Sequence, residues 1–579
     1  MKERKQKKKE LEKIEISEEI KEKIKDRIKV IEETIEKEAS EENMKNVMAS
    51  LRELGKKGTS MKGEGRTKMW KILNKNYPKN PIAVPVGKKD HSGNVITNHV
   101  ELKHLYLETY MNRLRNRPAK PGFEKLKSMK NKLFDLRLKV SEKRKSYPWT
   151  IKNLEDAISG LKTQKARDPH GLINDIFKDG VAGRDFKLSL LSFFNKMKEE
   201  NVIPDFVRYA DVATIYKGKG EKSNLENDRG IFIVSIYRSI LMRLIYLDYY
   251  DNLDRSISDS QVGGRKGRSV RNHIWVVNGV ICDVLSTKKQ TPVDLQIFDY
   301  RQCFDSLWIE ECMNDLYTGG LNDDKFSLLY NVNKLVNVAI KTPVGKTKRG
   351  SICNCIIQGD VFGPMFCAKH LDGIGKECLE YNKYTYKYKG IVDIPPLIML
   401  DDLITVSECG AKTTMVNSYV KFKTSSKKLQ FGNNKCKKLH IGKSCESHKC
   451  QDLYLEKWSQ KIAQDPKSKD IKIEDVCLDE EEVMEQTCSE KYLGHVISND
   501  GRNINNIKAR VSKGTGIVKK ILTILDGIPF GKFFFEAAAI LRDSLLASSV
   551  LCNSETWYNV TKAEMELLES VDTMLLKGC

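Results

Sequence analysis

Two short segments of the chain set aspartates in apolar surroundings, in a pattern that could do chemistry. The first runs Val293-Asp-Leu-Gln-Ile-Phe-Asp299 and continues Tyr-Arg-Gln-Cys-Phe304-Asp305-Ser-Leu-Trp308. The second, Pro395-Pro-Leu-Ile-Met-Leu-Asp401-Asp402-Leu-Ile-Thr-Val406, places an acidic pair between two apolar strand halves. That pattern predicts a hairpin with two carboxylates at its tip. Like charges a few ångströms apart repel, and desolvation adds to the cost. A divalent cation removes the penalty. Mg²⁺ typically takes one or two carboxylates and completes its shell with water and phosphate oxygens. With Asp299 on a neighbouring strand, three carboxylates suit two ions roughly 4 Å apart, an arrangement for in-line phosphoryl displacement. An acidic pair alone would most simply be a surface turn. The strand-terminal aspartate upstream brings the metal reading level with it.

The elements that must position these residues are those of a compact α/β (α+β) chain. From residue 150 onward helical and strand-like patterns alternate, and no internal repeat is visible. The 579 residues are 40% apolar and 31% charged, enough for sizeable cores and against wholesale disorder. No run approaches the ~20 apolar residues of a spanning helix. The lysine-rich start, Met1 to Lys9, leads into no apolar stretch and is no secretory signal. Fifteen scattered cysteines fit a reducing compartment with mostly free thiols. Secreted, collagen-like and membrane-spanning classes are thereby excluded.

Lys and Arg number 100 against 78 Asp and Glu, a net +22 that argues for a polyanionic partner. The surplus is unevenly placed. Residues 1–60 carry 17 basic and 15 acidic side chains, whereas residues 61–150 carry 22 and 7. In the first stretch Ile20, Ile24, Ile28, Ile31 and Ile35 mark a helix with one apolar stripe. In the second, the run Arg113, Arg115, Arg117 and then Lys120 to Lys145 reads as phosphate-facing, because solvated faces usually mix both signs.

Further blocks surround the aspartate segments. Leu161-Lys-Thr-Gln-Lys-Ala-Arg-Asp-Pro-His-Gly171 comes first. Asp211-Val-Ala-Thr-Ile-Tyr-Lys217-Gly-Lys219-Gly follows, with Leu225-Glu-Asn-Asp-Arg229-Gly-Ile behind it. Next are Ser258-Asp-Ser-Gln261-Val-Gly-Gly-Arg265-Lys-Gly-Arg268-Ser and, past Asp299, Gln358-Gly359-Asp-Val-Phe-Gly-Pro364. Asn434-Lys435 and Tyr492-Leu493-Gly494 close the series. Together and in this order, over roughly residues 155 to 500, they resemble the reverse transcriptase of non-LTR (LINE-type) retrotransposons.

The resemblance implies a right-hand polymerase fold with fingers, palm and thumb, preceded by a basic helical extension. The implied partition is 1–60, a charged amphipathic helical segment; 61–150, the basic extension; 151–290, fingers; 291–445, palm; and 446–579, primer-grip hairpin and thumb. The implied activity is RNA-directed DNA polymerisation, with two Mg²⁺ (Mn²⁺ as a substitute) held by the catalytic Asp299, Asp401 and Asp402. Phe304 would be the steric gate that excludes a 2′-hydroxyl. Lys217 and Arg229 would neutralise the triphosphate, and Gln358 and Gly359 would lie under the template–primer pair. Lys435 would sit near the leaving pyrophosphate, and Tyr492, Leu493 and Gly494 would form the primer grip. Each of these also has a plainer reading as a core aromatic, a solvated hairpin or a turn. Implied partners are an RNA template, a DNA primer or nicked target DNA, and dNTPs, with no membrane. The setting would be intracellular, with RNA bound in the cytoplasm and integration in the nucleus.

The sequence departs from the family pattern at four places. Met399-Leu400 precedes the aspartate pair where an aromatic and Ala are usual, and Arg229-Gly230-Ile231 replaces Arg-Pro-Ile. Lys435-Cys436 stands for Lys-Thr, and Arg167 to Gly171 alters the opening block. The retained aspartates favour an active enzyme. The alternative is a catalytically decayed or repurposed nucleic-acid-binding protein on the same fold. A second rival is an interaction protein built around the N-terminal helix. The chain reads as a truncated or fragmentary element with no visible endonuclease domain. Cys436, His440, Cys445, His448 and Cys450 lack zinc-site spacing and read as a basic loop with incidental thiols; Cys353 and Cys355 read as alternating strand residues.

Overall fold

The computed structural model describes residues 87–114, 124–144, 147–178, 183–286, 291–352, 356–381, 385–408, 411–432, 435–442, 484–526 and 530–579. The isoleucine stripe of residues 20–35, Cys353, Cys355, Asn434, Cys445, His448 and Cys450 lie outside these. The fold is mixed α/β of the α+β kind. The described residues form two compact units, one within Val84–Asn505 and one from Asn506–Cys579.

In chain order the strands of the larger unit used below are β1 (Tyr209–Tyr216), β2 (Asp228–Val234), β3 (Val293–Asp299) and β4 (Val336–Thr342). β5 (Gly345–Lys346), β6 (Gly350–Ile352), β7 (Leu397–Met399) and β8 (Asp402–Glu408) follow. The last are β9 (Lys437–Ile441), β10 (Glu485–Gln486), β11 (Ser489–Tyr492) and β12 (His495–Ser498). The helices used below are α1 (His99–Arg113), α2 (Glu124–Glu142), α3 (Ile236–Arg255), α4 (Val270–Ser286), α5 (Cys303–Ser306), α6 (Ile309–Thr318), α7 (Gly363–Tyr381) and α8 (Ala411–Ser426).

One sheet has the order β7-β8-β3-β9-β10. Its centre is β3, antiparallel to both β8 and β9. The apolar alternation of Val293–Asp299 explains that place, since six of its seven residues are buried. Phe298 and Leu403 face α7 and α8 in the main core. Leu295, Ile297, Ile404, Val406 and Leu439 face α4 and the β11–β12 hairpin. Each such aliphatic side chain contributes about 1.5–3 kcal/mol when fully buried. Polar residues inside the sheet are satisfied: Thr413 Oγ1 donates to Asp294 Oδ2 at 2.9 Å, and His440 Nδ1 lies 2.9 Å from Asp294 Oδ1.

The second sheet has the order β2-β1-β4-β5, with β6 also paired to β4. Ala210, Val212, Phe232, Val338 and Ile340 line its inner face and pack on Leu102, Leu105, Tyr106 and Tyr110 of α1. Those helical positions recur at three- and four-residue steps, the periodicity of one buried stripe. Asn98 caps α1 by accepting from the Val100 and Glu101 amides.

Two cations of the basic run make protein contacts in place of the expected phosphate ones, while Arg115, Arg117, Lys120 and Lys145 lie outside the described residues. Lys130 on α2 pairs with Glu311 of α6, and Arg137 donates to the Asn314 carbonyl at 3.0 Å and side chain at 2.9 Å. These two cations dock α2 onto α6. Composition along a helix cannot separate a docking cation from a solvated one.

The smaller unit is helical: α9 (Ile504–Leu525), α10 (Lys532–Leu541) and α11 (Lys562–Gly578) contribute to a core that includes Val518, Ile521, Phe534, Leu541, Val571 and Leu575. Gly514 permits close packing, because a Cβ there would meet Val550 and Val571 methyls at 2.8 and 2.9 Å. Among the described residues no helix is long and apolar enough to cross a membrane, and the eight described cysteines are all free.

Candidate active site

The expected hairpin is present, with β7 and β8 joined by Leu400 and Asp401. Asp402 opens β8 directly opposite Asp299, the last residue of β3. Side chains so paired across an antiparallel ladder have Cβ atoms about 4.5–5.5 Å apart. Asp401 is held above the usual carboxylate range by burial and by the Asp299 charge. Asp402 reaches solvent, yet the desolvating sheet and the charges of Asp401 and Asp299 push it up to about 6. Three mutually repelling carboxylates therefore gather at one sheet end.

The hairpin tip is held from outside. Gln261, fully buried, accepts from the Leu400 amide at 2.9 Å and from the Gly263 amide at 2.8 Å. Its Nε2 donates to the Leu400 carbonyl at 3.4 Å. Ser260 and Val262 hydrogen-bond to either side of Ile398, so this segment adds a short parallel bridge to β7. Gly263 is required: a Cβ would stand 2.4 Å from the Leu400 nitrogen.

Asp299 and Asp401 open onto a cleft of about 900 Å³. Lys217, Arg229, Phe304, Gln358, Gly359 and Lys435 line it too, so eight of the twelve expected site residues share one cavity. Lys435 Nζ lies 3.1 Å from Asp299 Oδ1, both side chains being about half exposed. Lys217 follows β1 and Arg229 sits on β2. Desolvation, and then the charges of Arg113, Arg229 and Lys435, lower the Lys217 pKa. Phe304 on α5 contributes its ring, half-buried against the main core. Gly359 lies in the turn before α7 with φ +104°, a conformation that favours glycine, and a Cβ there would crowd the Phe232 carbonyl at 3.3 Å.

The remaining expected residues lie outside the cleft lining. Asp402 is one, on the sheet end beside it. Tyr492, Leu493 and Gly494 form the tip of the β11–β12 hairpin, where Tyr492 pairs with His495 and the two central residues have φ +49° and +79°. Positive φ at both positions is the two-residue turn that matches strand twist. Tyr492 is buried, its hydroxyl is 3.2 Å from His273 Nδ1, and burial and then the nearby Asp402 charge raise its pKa. The hairpin thus abuts the carboxylate cluster from the face opposite α7.

Sequence reasoning missed several residues here. Arg113 lines the cleft, stacks over Tyr110 at 4.6 Å, and donates to the Asp228 and Leu225 carbonyls at 3.1 and 3.0 Å. It was visible only as part of a basic run. Buried Asp228 pairs with buried Lys88 at 2.9 Å, which fixes the start of β2. Asp305 adds a further carboxylate beside Phe304, and Gln358 Nε2 donates to it at 3.4 Å. Gln261 stood inside a recognised block, but nothing in the sequence pointed it at Leu400.

Among the described residues no three His, Cys, Asp or Glu side chains already close around one point. Mg²⁺ does not need such a cage, since it takes one or two carboxylates and keeps water. The hard oxygen donors of Asp299, Asp401 and Asp402 fit that ion, and their crowding at one sheet end is the charge a cation would relieve. Of the Cys/His group, the described Cys436 and His440 flank or lie in β9, with His440 engaged by Asp294. No family model matches the chain, and no curated protein does.

Proposed function

We propose that the chain is an RNA-directed DNA polymerase of the LINE-type retrotransposon class, on a right-hand fold. The observation that carries this reading is the pairing of Asp402 with Asp299 across β8 and β3, with Asp401 turned into a cleft whose other wall is cationic. Opposed walls of this kind suit a nucleoside triphosphate bound through a divalent cation on one side and Lys217 and Arg229 on the other. Asp299, Asp401 and Asp402 would hold Mg²⁺, which when bound supplies charge neutralisation and lowers the pKa of an attacking hydroxyl. Arg229 is exposed in the cleft lining, where its charge acts on Asp401, and it would meet a phosphate there. Lys435, beside Asp299, is placed to shift from carboxylate to leaving group as charge develops. Phe304 borders the space a sugar would take, and the Tyr492 to Gly494 hairpin supports the carboxylate cluster from behind.

The test is primer extension on an RNA template with a DNA primer, Mg²⁺ and dNTPs, run beside an Asp401→Asn, Asp402→Asn variant. The polymerase reading requires extension by the wild type alone, with duplex binding retained in both. If neither extends but both bind duplex in low salt, the binding-only alternative replaces it.

A further inference from the structure

The second sheet has an outer face that α1 does not cover. Strand alternation puts Asp211, Ala213 and Ile215 of β1 there, with Arg229 and Ile231 of β2 and Lys341 of β4. Asp211 is fully buried and serves three cations at once: Lys346 Nζ at 2.7 Å, Arg349 Nη2 at 3.5 Å and Lys341 Nζ at 3.6 Å. One carboxylate cannot neutralise three cations, so the cluster keeps two surplus positive charges. The lysine and arginine heads remain 50%, 30% and 33% exposed in that order, while their shared anchor is out of a ligand's reach. Arg349 is braced further by the Ala210 and Asn337 carbonyls and by the Tyr209 ring, 4.2 Å away.

The cluster is continuous with the cleft. Along β1 the same face runs from Asp211 to Lys217, a span of about 20 Å at the usual strand rise. Exposed Ile215 and Ile231 pave the stretch between, and it ends at Lys217 and Arg229 in the cleft wall. We propose that this face binds the phosphodiester backbone of single-stranded nucleic acid leaving the cleft, with Lys341, Lys346 and Arg349 on its phosphates. The site rests on the nucleic-acid reading above but not on catalysis. Fixed cation heads over an aliphatic floor give charge contacts without base readout, so binding is sequence-tolerant and falls with salt. An anionic bilayer is the poorer fit, because surface attraction to lipid takes a larger polybasic cluster.

Fluorescence-anisotropy titration of the full chain tests it, with an RNA–DNA duplex that is either blunt or carries a long single-stranded RNA overhang. The wild type is expected to bind the overhang form about tenfold more tightly. A Lys341→Ala, Lys346→Ala variant leaves Arg349 to neutralise Asp211, and it should lose that increment. Its salt slope should fall by about 1.4, at roughly 0.7 per single-strand phosphate contact. Blunt-duplex binding should be unchanged, and the Lys→Arg pair should retain the increment. The inference is overturned if the alanine variant keeps the increment, if it loses both substrates equally, or if it loses binding to phosphatidylserine vesicles and not to RNA. A wild type that shows the increment but extends no primer sinks the polymerase reading and leaves this site standing.

Discussion

Gln261 grips Leu400 by both edges of its amide, accepting from the Leu400 N–H at 2.9 Å and donating to its carbonyl at 3.4 Å. Leu400 sits at φ +57°, where a non-glycine residue costs roughly 1–2 kcal/mol. The amide therefore holds a strained residue next to Asp401. Replacing Gln261 with Leu keeps the bulk and leaves two buried N–H groups unpaired, at about 1–3 kcal/mol. Urea unfolding should show that loss, and extension should fall further than stability explains, because Asp401 is no longer aimed. An unchanged midpoint in Gln261→Leu would show that the grip is idle.

The carboxylate cluster makes the metal-free chain sensitive to pH. Asp402 titrates near 6 when folded, against an ordinary value of 3.8. Between those values the folded chain keeps a proton that the unfolded chain has released. Stability thus falls as pH rises through that window, and the whole penalty is present above it. Asp402→Asn should melt at the same temperature as wild type below the window and higher above it, in EDTA. Added Mg²⁺ should raise the wild-type melting temperature more above pH 6 than below, and should do less for the variant. Identical pH profiles for the two proteins would remove the repulsion from the account.

Phe304 lies five residues after Asp299 on the short α5 and borders the cleft without being fully buried. If its ring limits the space beside a nucleotide sugar, Phe304→Val opens that space. Single-nucleotide incorporation should then show the dNTP-over-rNTP preference falling at least tenfold, about 1.4 kcal/mol of discrimination. A preference that survives while stability drops would make Phe304 a packing residue only.

Arg238 is fully buried at the start of α3 and pairs with Asp360, two residues beyond Gln358, at 2.9 Å. It also donates to the Val332 carbonyl at 2.6 Å and to Asn333 Oδ1 at 2.7 Å. Arg238→Met removes one partner and strands a buried carboxylate, which costs roughly 3–5 kcal/mol. Chemical denaturation checks the loss. Restoring most of it with Asp360→Asn in the same chain would confirm that the stranded charge, not lost packing, is responsible.

The strand carrying Asp299 and the hairpin carrying Asp401 and Asp402 were legible, because apolar alternation and an acidic interruption are local signals. The β1–β2 hairpin around Lys217 and Arg229 and the turn at Leu493-Gly494 were expected only through the family resemblance, not from a local pattern. The contacts that assemble the site were not legible. Gln261 reaches a residue 139 positions away, and Arg113 reaches Asp228 across 115. No periodicity encodes such distances. Lys130 and Arg137 of α2 were hidden in the same way, since Glu311 and Asn314 lie more than 170 positions downstream.

The two walls of the cleft differ in how they are built. β3 is hydrogen-bonded along both edges and covered on both faces, so its amides can exchange with solvent only when the sheet as a whole opens. β2, which carries Arg229, is an edge strand that no other described strand pairs on its outer side. The carboxylates accordingly sit on an anvil, and local opening of the cleft is easiest at the edge strand that carries Arg229.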